Sequence, residues 1–172
     1  IKAEDKPGNN ITGVSDRTPI KQQLEIMKKV LPNMKKVGIL YTASEDNAVK
    51  QAQEAEKLAK ELGLEVKVST VANTNDIQQV TESLASQTDA IFVPIDNTIA
   101  SAMATVVKVT DAKKIPVFPS ADTMVADGGL LGLGVDQYQI GVETAKVVAK
   151  VLKGADTKDM PIVLANEGVI YL

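Results

Sequence analysis

Small polar side chains follow each of four apolar segments of this chain, and their types suit ligand binding. The segments are Val37–Tyr41, Ala90–Pro94, Ile115–Pro119 and Leu130–Val135. They alternate little between apolar and polar residues, which is typical of parallel strands buried on both faces. Polar groups that directly follow such strands lie at the carboxyl edge of the sheet, where open α/β folds bind ligands. We therefore expect the four clusters to meet along one rim.

The candidate ligand-binding side chains suit a small zwitterion. Asp96 or Asp136 can pair with an ammonium group, while backbone amides at helix starts and serine hydroxyls can receive a carboxylate. No lysine or arginine stands in the four loops, which disfavours a dianion. The predicted ligand-binding residues are Asp16, Tyr41, Ser44, Asn47, Asp96, Asn97, Ser120, Asp122 and Asp136.

Two other considerations bear on these candidates. Helix capping explains Asp16, Asn97 and Asp122 as well as ligand contact does. For Tyr41 and Asp96 we favour ligand contact. Aromatic residues make up 3% of the chain, and a sugar is usually sandwiched between aromatic rings. An amino acid is therefore the favoured ligand class.

Composition excludes several kinds of active site. The 172 residues include no histidine and no cysteine, which removes thiol nucleophiles, Ser-His-Asp triads and the usual zinc sites. With a net charge of −3 and no basic stripe, nothing favours nucleic acid. The glycines of 128–134 lie at and inside a strand, whereas a dinucleotide fingerprint needs them between strand and helix. We expect no metal and no cofactor; acid–base chemistry by Asp96 and Asp136 is the catalytic alternative.

Strands and helices alternate along the chain, so the predicted fold class is α/β, with a mostly parallel, Rossmann-like sheet flanked by helices. Asp16 or Thr18 is expected to cap the first helix, and Asn75 or Asp76 the third. The expected strands are 9–15, 37–41, 65–71, 90–94, 115–119 and 130–135, with an extended tail at 160–164 and 169–172. The expected helices are 19–30, 47–62, 76–86, 98–111 and 138–153, with a helical turn at 122–127.

Six short motifs occur in an order that resembles a known family. They are Pro7–Ser15, Lys35–Tyr41, Asp89–Asn97, Gly132–Tyr138, Val151–Gly154 and Asp159–Pro161. The ordered set resembles bacterial type I periplasmic-type substrate-binding proteins of ABC transporters. It is most similar to the subgroup of tryptophan/tyrosine-type or uncharacterised substrate-binding lipoproteins. The motifs cover nearly the whole chain.

The resemblance implies two α/β lobes joined by three hinge strands, with the ligand clamped between them, in a protein nearly twice this length. It implies that 1–15 is a crossover strand from a first lobe that is missing here, and that 16–128 is the second lobe. Residues 129–154 would be a return crossover and a helix that packs on the first lobe, and 155–172 a tail that re-enters the second. Homodimerisation or a segment swap through helix 138–153 would cover the face that is otherwise bare, which carries Val142, Ala145, Val148, Ala149 and Leu152.

The resulting prediction is the extracytoplasmic solute-binding component of an ABC importer, periplasmic or lipid-anchored at the outer face of the cell membrane. It would bind an amino acid by hinge closure, catalyse no reaction and deliver its ligand to a membrane permease. That the amino acid is aromatic is implied by the subgroup resemblance alone. The alternatives are the effector-binding domain of a transcription regulator of the same fold, and a carboxylate-based enzyme of flavodoxin-like fold.

Overall fold

Two separately packed units make up the chain. The computed structural model describes residues 5, 7–8, 10–164 and 168–172. The larger unit contains Pro19–Gly134 and Ile170–Leu172, and the smaller contains the residues up to Thr18 together with Val135–Val169. Among the described residues, no helix has the length and apolar character needed to span a bilayer. The division of the chain between two lobes of a longer protein stays a prediction.

Eight strands and seven α-helices occur in the described residues. The strands are β1 (Val14–Ser15), β2 (Lys36–Thr42), β3 (Glu65–Val71), β4 (Ala90–Val93), β5 (Val117–Pro119), β6 (Gly132–Gly134), β7 (Val163–Leu164) and β8 (Val169–Tyr171). The helices are α1 (Ile20–Val30), α2 (Asp46–Glu61), α3 (Ile77–Ala85), α4 (Asn97–Ala100), α5 (Met103–Lys113), α6 (Asp122–Ala126) and α7 (Gln137–Leu152). Single 3₁₀ turns cover Thr74–Asp76 and Thr157–Asp159.

A parallel four-stranded sheet forms the centre of the larger unit. Its strand order is β3-β2-β4-β5, and every neighbouring pair is parallel. The central strand β2 is buried on both faces: Val37 and Ile39 join the core beside α1 and α2, whereas Leu40 joins the core beside α3, α5 and α6. The predicted α/β class with a mostly parallel sheet is confirmed.

The fourth predicted strand lies outside this sheet. β6 pairs with β8 in a separate two-stranded sheet, although its end lies beside the end of β5: a Cβ atom on Gly134 would lie 3.1 Å from the Ser120 carbonyl oxygen. That the polar residues after all four strands meet along one rim stays a prediction. The Leu130 amide donates to the Val117 carbonyl (2.8 Å), but the ladder does not continue. Pro119 has no N–H to offer a neighbouring strand, and the amide of Gln23 takes the carbonyls of Phe118 (3.4 Å) and Pro119 (2.8 Å).

Three local expectations also differ from the structure. The predicted strand 9–15 is reduced to β1, and residue 9 lies outside the described residues. The predicted helix 98–111 is two helices, α4 and α5, because the chain tightens after α4, where the Ser101 hydroxyl bonds the Thr98 carbonyl (2.8 Å). Neither Asp16 nor Thr18 occupies the N-cap of α1; Pro19 does, and it has no side-chain acceptor.

The cap expected for α3 also differs. Asp76 stands at the N-cap of α3 but makes no side-chain cap hydrogen bond. Its carboxylate accepts from the Ala72 amide at 3.3 Å instead. The preceding 3₁₀ turn is capped by Asn73, whose side chain accepts from the Asn75 amide at 2.9 Å. The polar cluster 73–76 is thus used to close its own turn.

The smaller unit is built around α7, which packs on β1. β1 pairs in parallel with β7, and the Thr12 hydroxyl reaches the Pro161 carbonyl at 3.3 Å. Val147 is buried, whereas Val148 and Leu152 on the predicted apolar face are 49% and 81% exposed. Homodimerisation or a segment swap through this face stays a prediction.

Gly38 in β2 gives a direct test of the packing. A Cβ atom at this position would lie 2.9 Å from Leu84 Cγ, closer than packed carbon atoms approach. We expect Gly38→Ala to lower the free energy of unfolding by about 1–3 kcal/mol, because the buried Leu84 has little room to shift. Urea unfolding measures the change.

A matched control and a second background sharpen this test. Gly141→Ala in α7 meets nothing within 4 Å, and it should stabilise by about 0.5–1 kcal/mol because glycine is unfavourable inside a helix. In a Leu84→Ala background, Gly38→Ala should cost close to nothing. An equal cost in both backgrounds would contradict the contact.

Candidate functional site

The candidate site is the carboxyl edge of the four-stranded sheet in the larger unit. Residues 42–47 begin at the last residue of β2, residues 94–98 follow β4 and residues 120–123 follow β5. Because these strands are parallel neighbours, the three segments begin at the same edge. We call them the rim segments.

Asp96 joins the first two rim segments through a buried carboxylate. Oδ2 accepts from the Thr42 amide (2.6 Å), and Oδ1 accepts from the Thr42 hydroxyl (2.9 Å) and the Ile99 amide (2.9 Å). The residue is 1% exposed. Asp96 therefore caps α4 and fixes the end of β2. The sequence favours direct contact between Asp96 and a ligand. This contact stays a prediction, and the burial of Asp96 argues against it.

Glu45 reaches the same helix from the other rim segment. Oε2 accepts from the Asn97 amide (2.9 Å) and the Asn97 side-chain amide (3.1 Å). Oε1 accepts from the Thr98 amide (2.9 Å) and hydroxyl (2.8 Å). Burial by itself would raise the pKa of Glu45, but the hydrogen bonds from Asn97 and Thr98 outweigh burial and hold the pKa below its ordinary value.

The two carboxylates together occupy the start of α4. The amides of Asn97 and Thr98 donate to Glu45, and the amide of Ile99 donates to Asp96. We call this arrangement the α4 clasp: Glu45, Asp96 and the amides of 97–99. The expectation that amides at helix starts are open to a ligand's carboxylate is therefore wrong for α4, because the protein's own carboxylates fill the position.

Two side chains of α2 fix the backbone next to the clasp. The Asn47 side-chain amide donates to the Ile95 carbonyl (2.9 Å), and Gln51 Oε1 accepts from the Ile95 amide (3.2 Å). The loop after β4 is thus held on both sides of residue 95. The Asn47 amide, which is predicted to face a ligand, is bound to this loop.

The third rim segment is tied down by Gln23 of α1. Ser120 is 1% exposed, and its hydroxyl donates to Gln23 Oε1 at 3.1 Å. Gln23 itself is fully buried. The Ser120 hydroxyl therefore bonds within the protein, and the exposed residues of this segment are Asp122 and Thr123.

The remaining predicted residues of the larger unit lie outside the hydrogen-bond network around α4. Tyr41 is partly buried and packs against the core on the α1 and α2 side. Ser44 is exposed in the turn before α2. Asp122 is exposed, and its carboxylate accepts from the Thr123 amide at 2.8 Å. The structure therefore brings Asn47, Asp96 and Asn97 into one network, and leaves Ser44 and Asp122 at the surface.

Asp16 and Asp136 belong to the smaller unit. Asp136 is the N-cap of α7, accepting from the amides of Tyr138 (2.8 Å) and Gln139 (3.1 Å). Asp16 is exposed and follows β1. Their contact with a ligand stays a prediction.

Glu45 and Gln23 are site residues that the predicted ligand-binding set leaves out. Gln23 had a usable signal, because it is a polar residue on the face of α1 that buries Ile20, Leu24 and Met27. Glu45 had a weaker one: it is a charged residue directly before a helix, the position from which a side chain usually caps that helix. It makes no cap for α2 and turns to α4 instead.

The rim segments are acidic throughout. They contain Glu45, Asp46, Asp96 and Asp122 and no lysine or arginine. Among the described residues, no group of three or more metal-ligating side chains is placed to hold a metal ion. The charge of this edge suits a ligand with a cationic end.

Comparison with known proteins identifies the family. The family model described as ABC transporter substrate binding protein matches residues 1–171. The chain belongs to this family. This confirms the resemblance drawn from the six motifs, and the family is one of binding proteins.

Named relatives agree with this assignment. The chain is 33% identical over all 172 residues to a tyrosine-binding protein of Clostridioides difficile, of which it covers 50%. It is 44% identical to an ABC domain from Streptococcus pneumoniae solved in complex with L-Trp, with a TM-score of 0.89, covering 99% of this chain and 59% of that one. A substrate-binding protein of Clostridium difficile with adhesive properties, solved in its ligand-free, open form, is 31% identical with a TM-score of 0.82. That likeness covers 99% of this chain and 58% of the other.

Two further facts limit what these similarities show. The chain spans about half the length of the curated relatives it matches. A LacI-family repressor from Corynebacterium glutamicum is 15% identical with a TM-score of 0.66, which shows a shared fold alone. The family model therefore favours a substrate-binding protein over the transcription-regulator alternative.

The lowered pKa of Glu45 predicts a pH-dependent stability. A carboxyl whose folded pKa lies below its ordinary value of 4.5 stabilises the fold above that pH, and the contribution is lost as the pH falls through the folded pKa. We expect Glu45→Gln to lower the free energy of unfolding by about 1–2 kcal/mol at pH 7, with the deficit shrinking toward pH 3. Urea unfolding at several pH values measures it.

A charge-matched control is available on the same helix. Glu61 lies at the far end of α2, where its ion pair with Lys57 is long (4.0 Å) and exposed. Glu61→Gln should change stability by less than about 0.5 kcal/mol at every pH. A Glu45→Gln deficit that is the same at pH 7 and pH 3 would contradict the ionised clasp.

Proposed function

We propose that the protein containing this chain is the extracytoplasmic solute-binding component of an ABC importer, and that its ligand is an amino acid with an aromatic side chain. Family membership supports the first part. Similarity to one relative named as a tyrosine-binding protein and to another solved with L-Trp supports the second. The larger unit supplies one wall of the ligand cleft through its rim segments.

The observation that carries this proposal is the charge of the rim. Four acidic residues and no basic ones stand in the rim segments, so an ammonium group is attracted and a phosphate is repelled. The amides of α4 are occupied, so the ligand's carboxylate would be received elsewhere in the whole protein.

Binding would work by closure of two lobes around the ligand. No bond is made or broken. The ligand contacts both lobes in the closed form, and its differential affinity for that form shifts the population toward closure. A membrane permease would read the closed form. The rim loops need not move, because the clasp and Gln23 already fix them.

The exposed face of α7 has a place in the same proposal. Val148 and Leu152 would pack on the remainder of the longer protein, since its relatives are about twice the length of this chain. The alternative is a second copy of the chain. Attachment to the outer face of the membrane through a lipid is part of the proposal as well.

Calorimetric titration and thermal unfolding of the whole protein test this function. The probes are the twenty amino acids and a panel of monosaccharides and disaccharides. We expect stabilisation by tryptophan or tyrosine, amounting to about 2.7 kcal/mol at a ligand concentration 100 times Kd. Binding by a sugar with no response to any amino acid would contradict the ligand class, and no response to either panel would contradict the function.

A further inference from the structure

The hydrogen bond between Glu45 and Asn97 fixes how the Asn97 amide is turned. An ionised carboxylate only accepts hydrogen bonds. The group of Asn97 that lies 3.1 Å from Glu45 Oε2 must therefore be its NH₂. The same oxygen accepts from the Asn97 backbone amide at 2.9 Å, so the side chain is held at two points.

The carbonyl oxygen of the Asn97 side chain is then left to interact outside the clasp. Asn97 is exposed at the rim, at the first position of α4. Within the described part of the chain, no group donates a hydrogen bond to this oxygen. An amide that could turn freely would offer either a donor or an acceptor, but this one can offer an acceptor alone.

We propose that Glu45 is a positioning residue that makes Asn97 an acceptor, and so makes Asn97 select ligands that carry a protonated amine. This inference rests on the proposed function, since it assigns a role within the same ligand site. Glu45 itself does not touch the ligand. It acts by denying Asn97 the orientation in which the NH₂ faces outward.

Replacement of Glu45 by glutamine should remove this control. Glutamine has one accepting oxygen and one NH₂, so it cannot accept at once from Thr98 and from both donors of Asn97. The Asn97 amide then gains freedom to turn. Its NH₂ can face the ligand, where it repels an ammonium group and tolerates an analogue that lacks one.

The experiment compares two probes on the whole protein. They are L-tryptophan and 3-(indol-3-yl)propanoate, which differs from it by lacking the α-amino group. We expect the wild type to prefer tryptophan strongly. In Glu45→Gln the ratio of the two dissociation constants should fall roughly tenfold, about the factor that one hydrogen bond to a charged group supplies.

An exchanged pair separates positioning from general loosening, and Asn97→Leu, which keeps the charge of Glu45, separates positioning from a simple loss of rim charge: it should lower the ratio as Glu45→Gln does. In the double variant Glu45→Gln/Asn97→Asp the glutamine NH₂ faces the new carboxylate, and an accepting oxygen again meets the ligand. We expect the tryptophan preference to return to within about threefold of wild type. The control Glu61→Gln, at the far end of α2, should leave the ratio unchanged.

Each outcome decides one claim. A folded Glu45→Gln protein with an unchanged ratio overturns the inference and leaves the proposed function standing. A wild type that binds neither probe nor any other amino acid overturns the proposed function. If Glu45→Gln does not fold, Asn97→Leu is used: it removes the amide and keeps the backbone donors to Glu45, and the ratio must fall by a similar factor or the inference is wrong.

Discussion

The interaction on which the rim depends is the pair of carboxylates at the start of α4. A four-residue helix has too few internal hydrogen bonds to persist alone. Its first three amides donate to Glu45 and Asp96. Glu45 lies in the loop after β2, and Asp96 lies in the loop after the neighbouring strand β4. Because each carboxylate also contacts the other loop, α4, β2 and β4 form one fixed piece. The clasp thereby converts two surface loops into a preformed edge.

The clasp is stable because every polar group in it has a partner. A buried carboxylate such as Asp96 is costly unless it is hydrogen-bonded, and three donors satisfy it. Glu45 has four donors, which outweigh its desolvation. These hydrogen bonds stabilise the two negatively charged carboxylates in the rim. A preformed rim loses less conformational entropy when a ligand binds, which suits the solute binding that we propose.

Sequence alone was sufficient for the fold class and for most elements. β3 begins and ends where the alternation of 65–71 predicts, and the apolar runs of β2, β4 and β5 place them side by side in one sheet. β6 pairs with β8 rather than continuing that sheet, and the Pro119 carbonyl of β5 accepts from Gln23, a residue distant in sequence. A pattern within one segment cannot report such a partner.

The site was harder to predict than the fold, and the reason is geometric. The sequence correctly locates polar residues at the strand ends, and it names Asn47, Asp96 and Asn97, which share one network. It does not show whether a side chain is turned to solvent or to its neighbours. Ser120 and Asp96 are both 1% exposed, and Glu45 caps a helix that begins 52 residues later in the sequence. Such long-range capping leaves no local signature.

Native-state hydrogen exchange of backbone amides tests the clasp most directly. In ligand-free protein the amides of Asn97, Thr98 and Ile99 should exchange far more slowly than the amide of Ser44, which lies in the neighbouring exposed turn. In Glu45→Gln, protection at Asn97 and Thr98 should drop while Ile99, held by Asp96, keeps it. Exchange of Asn97 and Thr98 in the wild type as fast as that of Ser44 would contradict the account, because the loops would then not be held before ligand arrives.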